Sequence, residues 1–183
     1  SDKYTIIGTD INIEHLELSN CDIKYLVPRN SDPNYPGVIS SIIEKENIDF
    51  VHLQPDSEVA FWSVNRHLLN APFMLPSKQA IELCHNKINF ANAMNSAGVP
   101  VPRSIHVTDE ASIGEIFNSL NKTSEKVWVR AIRGAGSRAS LPVTKAEHAH
   151  MWIDYWNTVR GTEYSDFMMA EFLPGREFAF QSI

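Results

Sequence analysis

Val127-Trp128-Val129-Arg130-Ala131-Ile132-Arg133-Gly134-Ala135-Gly136-Ser137-Arg138-Ala139-Ser140 decides how the rest of this chain is read. Its first half is a strand: Val127, Trp128 and Val129 are strand formers whose side chains alternate between two faces. Trp128 and Arg130 share one face, Val127 and Val129 the other. Gly134 and Gly136 then let the backbone turn and come close to a ligand. Arg130, Arg133 and Arg138 gather three positive charges in a chain whose net charge is -6. Basic side chains beside glycines point to an anion, most simply a phosphate.

The residues that follow limit which phosphate loop this is. Gly134-Ala135-Gly136-Ser137-Arg138-Ala139 is close to a dinucleotide fingerprint, but that fingerprint must open a helix. Here Leu141-Pro142-Val143 follows and reads as a second short strand. No Gly-Lys-Ser/Thr follows the glycines, so a P-loop is excluded. Two strands joined by a glycine loop make a hairpin that can fold over a phosphate as a flap. The next helix is expected from Thr144, with Glu147 completing a capping box, and runs to about Arg160. Trp152, Trp156 and Val159 on it read as packing residues.

Composition sets wider bounds. The chain has 183 residues, 43% hydrophobic and 21% charged, as in a globular protein of one or two domains. The acidic balance argues against nucleic acid as a partner. There is no run of 18 apolar residues, so no membrane span is expected. Cys21 and Cys84 form no motif, which suits a reduced, cytoplasmic protein. No His-Glu-x-x-His occurs, and His148 and His150 stand two apart on a helix, facing differently; no metal site is expected from them.

The first half alternates strand and helix. Residues 4–10 and 24–28 read as strands, Tyr35-Pro36 opens a helix with Val38, Ile39, Ile42 and Ile43 on one face, and residues 49–53 read as a third strand. Asp56 is expected to cap a helix reaching about Leu69, and residues 72–76 form a short extended piece. This alternation implies a parallel, doubly wound sheet, and the chain starts at what looks like its second strand. Asp10, where a dinucleotide enzyme would bind ribose, lacks the glycine turn before it and reads as a turn or cap residue.

In the second half, a helix starts at Asn86-Lys87 and ends at Gly98, before Val99-Pro100-Val101-Pro102. Residues 104–107 read as a strand, and Thr108 is expected to cap a helix carrying Asp109 and Glu110 in its first turn. Residues 166–173 read as a strand, Pro174-Gly175 as its turn, and Glu177 opens a further alternating strand.

With these pieces in order, the chain resembles the ATP-grasp superfamily, and within it carbamoyl-phosphate-synthase-like proteins. Asn86-Lys87-x-x-Phe90 and Ala97-Gly98-Val99-Pro100-Val101-Pro102 look like the family's first helix. The 127–140 stretch looks like its basic strand and phosphate flap, and Met168-Met169-Ala170-Glu171-Phe172-Leu173-Pro174-Gly175-Arg176-Glu177 like its adenine strap. The resemblance implies an α/β protein: residues 1–86 a Rossmann-like domain preceding the ATP-grasp fold, incomplete at its first strand, and residues 87–183 the N-terminal portion of that fold. It implies that Lys87 and Arg130 bind ATP phosphates, and that Gly134, Gly136 and Ser137 give backbone donors to the terminal phosphates. Glu171 would accept from the adenine amino group, Leu173 would bond the ring through its backbone, and Glu177 would accept from the ribose hydroxyls.

The reaction implied is ATP-dependent activation of a carboxylate as an acyl phosphate, which an amine or ammonia then attacks. Magnesium belongs to that chemistry. Its ligands, and the catalytic residues, are expected downstream of the Glu177 strand, so neither is assigned to these 183 residues, and the chain alone is expected to be inactive. The expected partner is a small-molecule substrate, with a homodimer possible through exposed sheet edges. Two other readings remain: a non-catalytic nucleotide-binding or interaction module derived from such a protein, and a dinucleotide-dependent oxidoreductase.

Overall fold

The computed structural model describes residues 3–122, 124–134 and 139–178. It divides into two compact units, residues 1–81 and 82–183. No helix among the described residues is long and apolar enough to cross a membrane.

The first unit begins with β1 (Ile7–Asp10), a short helix α1 (Ile13–Leu18) and β2 (Ile23–Leu26), the two strands pairing in parallel with Ile7 opposite Ile23. Asp10 is a turn residue, as its sequence suggests: its Oδ1 accepts from Asn12 N at 2.8 Å. Gly8 lies close against Cys21, whose side chain would have to shift to admit a Cβ there. The sequence reading misses α1. It has six residues and buries only Leu16, too little for a helical period to show.

Helix α2 (Tyr35–Lys45) buries Tyr35, Ile39, Ile42 and Ile43. Their spacing of three and four puts one stripe on the core. Helix α3 (Asp56–Val64) brings Trp62, fully buried, against Tyr35; the indole N–H donates to the Tyr35 hydroxyl at 3.2 Å. Phe61 completes an aromatic trio with ring centroids 5.1–5.7 Å apart.

Three expectations need correction here. Helix α3 stops at Val64, short of Leu69; Asn65 leaves helical geometry and a 3-10 turn, Arg66–Leu68, follows. Asp56 is the first helical residue, and Pro55 is the cap. Residues 49–53 do not form a regular strand. They make one bridge, Val51 to Phe73, with Val51 N donating to Pro72 O at 2.8 Å. The partner piece carries Pro72 and Pro76, which lack N–H donors, so the ladder cannot lengthen. The parallel sheet of this unit is therefore two-stranded, with a separate bridge beside it.

The second unit follows α4 (Lys78–His85), a helix on which the division between units falls. It contains α5 (Lys87–Ser96), β3 (Ser104–His106), α6 (Ser112–Leu120), β4 (Val127–Ala131), β5 (Ser140–Val143), α7 (Ala146–Arg160) and β6 (Phe167–Glu171). The strands form an antiparallel sheet in the order β3-β6-β4-β5. Pro142 sits on the edge strand β5, where a missing donor does no harm.

One face of this sheet carries the core. Val127, Val129, Phe167 and Met169 are fully buried there and pack with Ile113, Ile116, Phe117 and Leu120 of α6 and Ala149 and Ile153 of α7. Each such side chain contributes roughly 1.5–3 kcal/mol by leaving water. Helix α6 starts at Ser112, and the capping interaction comes from Asp109, whose Oδ1 accepts from Ser112 N at 2.8 Å; Thr108 instead donates to Asp109. Helix α7 has Lys145 as its cap, with no side-chain capping bond, so the expected Thr144–Glu147 box does not form. Thr144 lies two residues outside the helix, beside His148. Trp152 and Trp156 pack on the core as expected, whereas Val159 is 51% exposed. Gly161, with φ 66°, closes the helix in the left-handed conformation.

Candidate functional site

Arg130 is placed by alternation along β4. Val127 and Val129 are pinned inside the core, so Trp128 and Arg130 must face the other side of the sheet. That side holds a small apolar patch of Ile132, Met168 and Ala170, with Ile88 of α5 and Trp128 against it. In register, Arg130 stands opposite Ser140 on β5 and Met168 on β6.

The Arg130 guanidinium is half-buried, and burial holds its pKa below the ordinary arginine value. It stays charged, because arginine titrates far above neutral pH. Its Nε is buried and has no hydrogen-bond partner among the described residues. An unmatched buried donor costs about 1–3 kcal/mol, more on a charged group. An anion brought to this guanidinium would relieve that cost with short, charge-assisted bonds. Arg133, by contrast, is exposed.

The hairpin foreseen from the sequence is present: β4 and β5 pair antiparallel, and Ala131 N donates to Ala139 O at 3.2 Å where the loop closes. Gly134 has φ 101°, a conformation side-chain-bearing residues rarely adopt. Ala139 has φ 52° although it carries a Cβ, and it is 5% exposed in the core. A left-handed alanine costs about 1–2 kcal/mol, which its burial must offset. Gly136, Ser137 and Arg138 lie outside the described residues, as does the strand expected beyond Phe178.

Lys87 meets the hairpin at its entry. Its Nζ donates to Gly134 O at 2.8 Å and to Ile132 O at 3.4 Å, and its backbone N donates to Ile132 O at 3.1 Å. Asn86 caps α5, its Oδ1 accepting from Ile88 N and Asn89 N. The first donors of this helix are thus taken up by the protein, and the helix start is tied to the root of the loop. The sequence brought Lys87, Arg130 and Gly134 forward separately. The fold joins Lys87 to Gly134 across 47 residues.

The end of β6 supplies the rest. Glu171 stands opposite Val127, and its Oε2 accepts from Arg103 N at 2.9 Å, tying β6 to the start of β3. Phe172 stacks on Trp128, with centroids 5.6 Å apart and planes at 27°, and Lys126 Nζ lies 5.3 Å from the Phe172 centroid. Leu173 is 61% exposed, and Glu177 is exposed. Sequence reasoning missed Phe172 and Lys126. Their contact follows from the antiparallel register of β4 and β6, which local sequence does not encode.

No protein-family profile matches this chain, and no curated protein does. Solved structures do. The chain overlays the biotin carboxylase domain of Hydrogenobacter thermophilus 2-oxoglutarate carboxylase, a dimer complexed with MgADP, ADP and bicarbonate, with a TM-score of 0.66 and 17% identity over 91% of this chain and 38% of that one. It overlays an ADP complex of N5-carboxyaminoimidazole ribonucleotide synthetase with a TM-score of 0.66, 14% identity, and coverage of 93% and 41%. Vibrio cholerae D-alanyl-alanine synthetase A aligns with a TM-score of 0.54, 19% identity, and coverage of 68% and 37%. The chain spans about two fifths of the length of these proteins. All three are ATP-grasp enzymes, and this α/β chain shares their fold over the part it spans.

Proposed function

We propose that this chain is the nucleotide-binding part of an ATP-dependent, carboxylate-activating ligase of the carbamoyl-phosphate-synthase-like kind. Residues 1–86 are, in this reading, the domain preceding the ATP-grasp portion at 87–183. The observation that carries the proposal is Arg130: a half-buried cation with an unmatched Nε, at the root of a glycine hairpin. A triphosphate supplies the acceptor that this Nε lacks among the described residues. Gly134, Gly136 and Ser137 offer peptide donors over the terminal phosphates. Lys87 holds the loop entry through the Gly134 carbonyl and adds positive charge beside the same phosphates. Leu173 reads the adenine ring through its backbone, Glu171 accepts from the adenine amino group, and Glu177 accepts from the ribose.

Magnesium, when bound, neutralises charge on the transferred phosphoryl group. Among the described residues no group of three His, Cys, Asp or Glu side chains could hold it, so no ligand is assigned to it here. A small-molecule carboxylate substrate, a cytoplasmic setting and a homodimer complete the proposal.

Calorimetric titration of the chain with ATP, GTP and NAD tests it. ATP should bind most tightly, with no turnover when magnesium, carboxylates and amines are added. Preferential binding of NAD would overturn the proposal in favour of an oxidoreductase, and no nucleotide binding at all would remove it.

A further inference from the structure

The two helices that cover the core face of the second unit carry charge of one sign. From Ser104 to Asn121 and from Ala146 to Val159 the chain has five carboxylates, Asp109, Glu110, Glu115, Glu147 and Asp154, and no lysine or arginine. All five are exposed. Arg130 emerges on the opposite face of the sheet, so the unit is basic on one side and acidic on the other.

The acidic side also carries an apolar stripe. Met151, Tyr155 and Val159 follow one another along α7 at spacings of four and are 68%, 55% and 51% exposed. They line one side of the helix over about 12 Å, at 1.5 Å per residue. Tyr155 is held from behind: its ring centroid lies 6.1 Å from that of Trp152 and 6.3 Å from that of Trp156. A ring already fixed loses little freedom on contact, which makes it a good anchor. At Met151 the stripe runs into a groove of about 520 Å³ between the starts of α6 and α7. Ala111, Gly114 and Ala146 keep its floor low, and nothing lies within 4 Å of where a Gly114 Cβ would sit. Glu110 and Glu147 also line it. Glu110 Oε1 is 2.6 Å from His150 Nε2, which lies 3.4 Å from the Tyr164 hydroxyl, so this carboxylate is held in place.

An apolar stripe flanked by acids, with a groove that ends at two carboxylates, fits a helix with an apolar face and basic flanks. A lysine or arginine lays its methylene stem on an apolar floor and carries its charge to the mouth. A second copy of this chain, meeting the first face to face, would set the same acids against each other. An anionic membrane would be repelled in the same way.

We propose that the α6–α7 face is a docking surface for a basic amphipathic helix of a partner protein. The partner's apolar stripe packs on Met151, Tyr155 and Val159, and one of its lysine or arginine side chains lies in the groove with its head at Glu110 and Glu147. None of these residues belongs to the Arg130 face, so the docking surface stands apart from the nucleotide reading.

The test uses this chain and two capped helical peptides of about 15 residues, long enough to hold a helix. One has a leucine stripe flanked by lysines; the other has glutamate at every lysine position. The lysine peptide should shift the backbone amide resonances of Glu110, Gly114, Met151 and Tyr155, and should bind at least about tenfold more tightly than the glutamate peptide. Tyr155→Ser and Glu147→Lys should each weaken it by about three- to tenfold. Glu17→Lys makes the same charge change at an exposed position of the first unit and should leave the affinity within about twofold. If Tyr155→Ser does not fold, the comparison of Glu147→Lys with Glu17→Lys decides. Equal binding of the two peptides, or equal losses with Glu147→Lys and Glu17→Lys, would reduce the contact to general charge attraction and overturn the proposal. So would amide shifts confined to residues outside α6 and α7, or self-association in sedimentation that Tyr155→Ser abolishes, which would put a second copy on the stripe.

Discussion

Replacing Arg130 by Met separates a guanidinium kept for a ligand from one kept for the fold. Methionine retains the unbranched apolar stem that crosses the sheet face near Ile132 and Met168 and removes the charged head. In the protein without ligand, that head carries a buried Nε with no partner among the described residues, and burial lowers its pKa. Removing an unsatisfied buried donor should return about 1–3 kcal/mol of stability. For a unit of this size each kcal/mol moves the melting temperature by about 4–8 °C, so Arg130→Met should melt several degrees higher than the unmodified chain. Nucleotide affinity should move the other way. A hydrogen bond to a charged group is worth about 1.5–3 kcal/mol, which corresponds to an ATP dissociation constant about 10- to 150-fold larger. Differential scanning calorimetry and isothermal titration on the same preparation give both numbers. A variant that melts lower and binds ATP as before would show Arg130 to be a structural residue and refute the reasoning.

Three further outcomes follow from particular contacts. Gly134→Ala should destabilise the second unit by about 1–2 kcal/mol in a denaturant melt, because φ 101° excludes a Cβ although nothing lies within 4 Å of where it would sit. Phe172→Ala should cost about 0.5–1.5 kcal/mol beyond the area lost and alter the Trp128 fluorescence, since it removes the stacked ring. Burial holds the Glu58 carboxyl above the usual glutamate range. Its folded form binds the proton more tightly than the unfolded form. That contribution to stability is fully present below about pH 4.3, the unfolded value, and is lost as pH rises through the raised folded value. Glu58→Gln should therefore melt higher than the parent at pH 7 and no differently at pH 4, and equal melting temperatures at both would refute the assignment.

Features set by neighbouring residues were legible in the sequence. The 127–143 hairpin follows from period-two side chains around glycines, α2 from apolar residues at spacings of three and four, and α5 from Asn86 before it and Gly98, with φ 77°, after it. Each rests on local torsional preference or a short-range hydrogen bond, which the chain expresses wherever it lies. The same is true of the side of β4 on which Arg130 emerges, because alternation along a strand is fixed once one face is buried.

Tertiary structure decided the rest. Residues 49–53 have a strand's composition, yet form one bridge, because the piece they meet carries prolines. The placing of β6 between β3 and β4, the hold of Lys87 on Gly134, and the stacking of Phe172 on Trp128 join residues 36 to 66 positions apart. Whether the Arg130 head finds a partner depends on which side chains the sheet gathers around it. Such contacts are selected by burial and register summed over the whole sheet, and no window of sequence contains that sum.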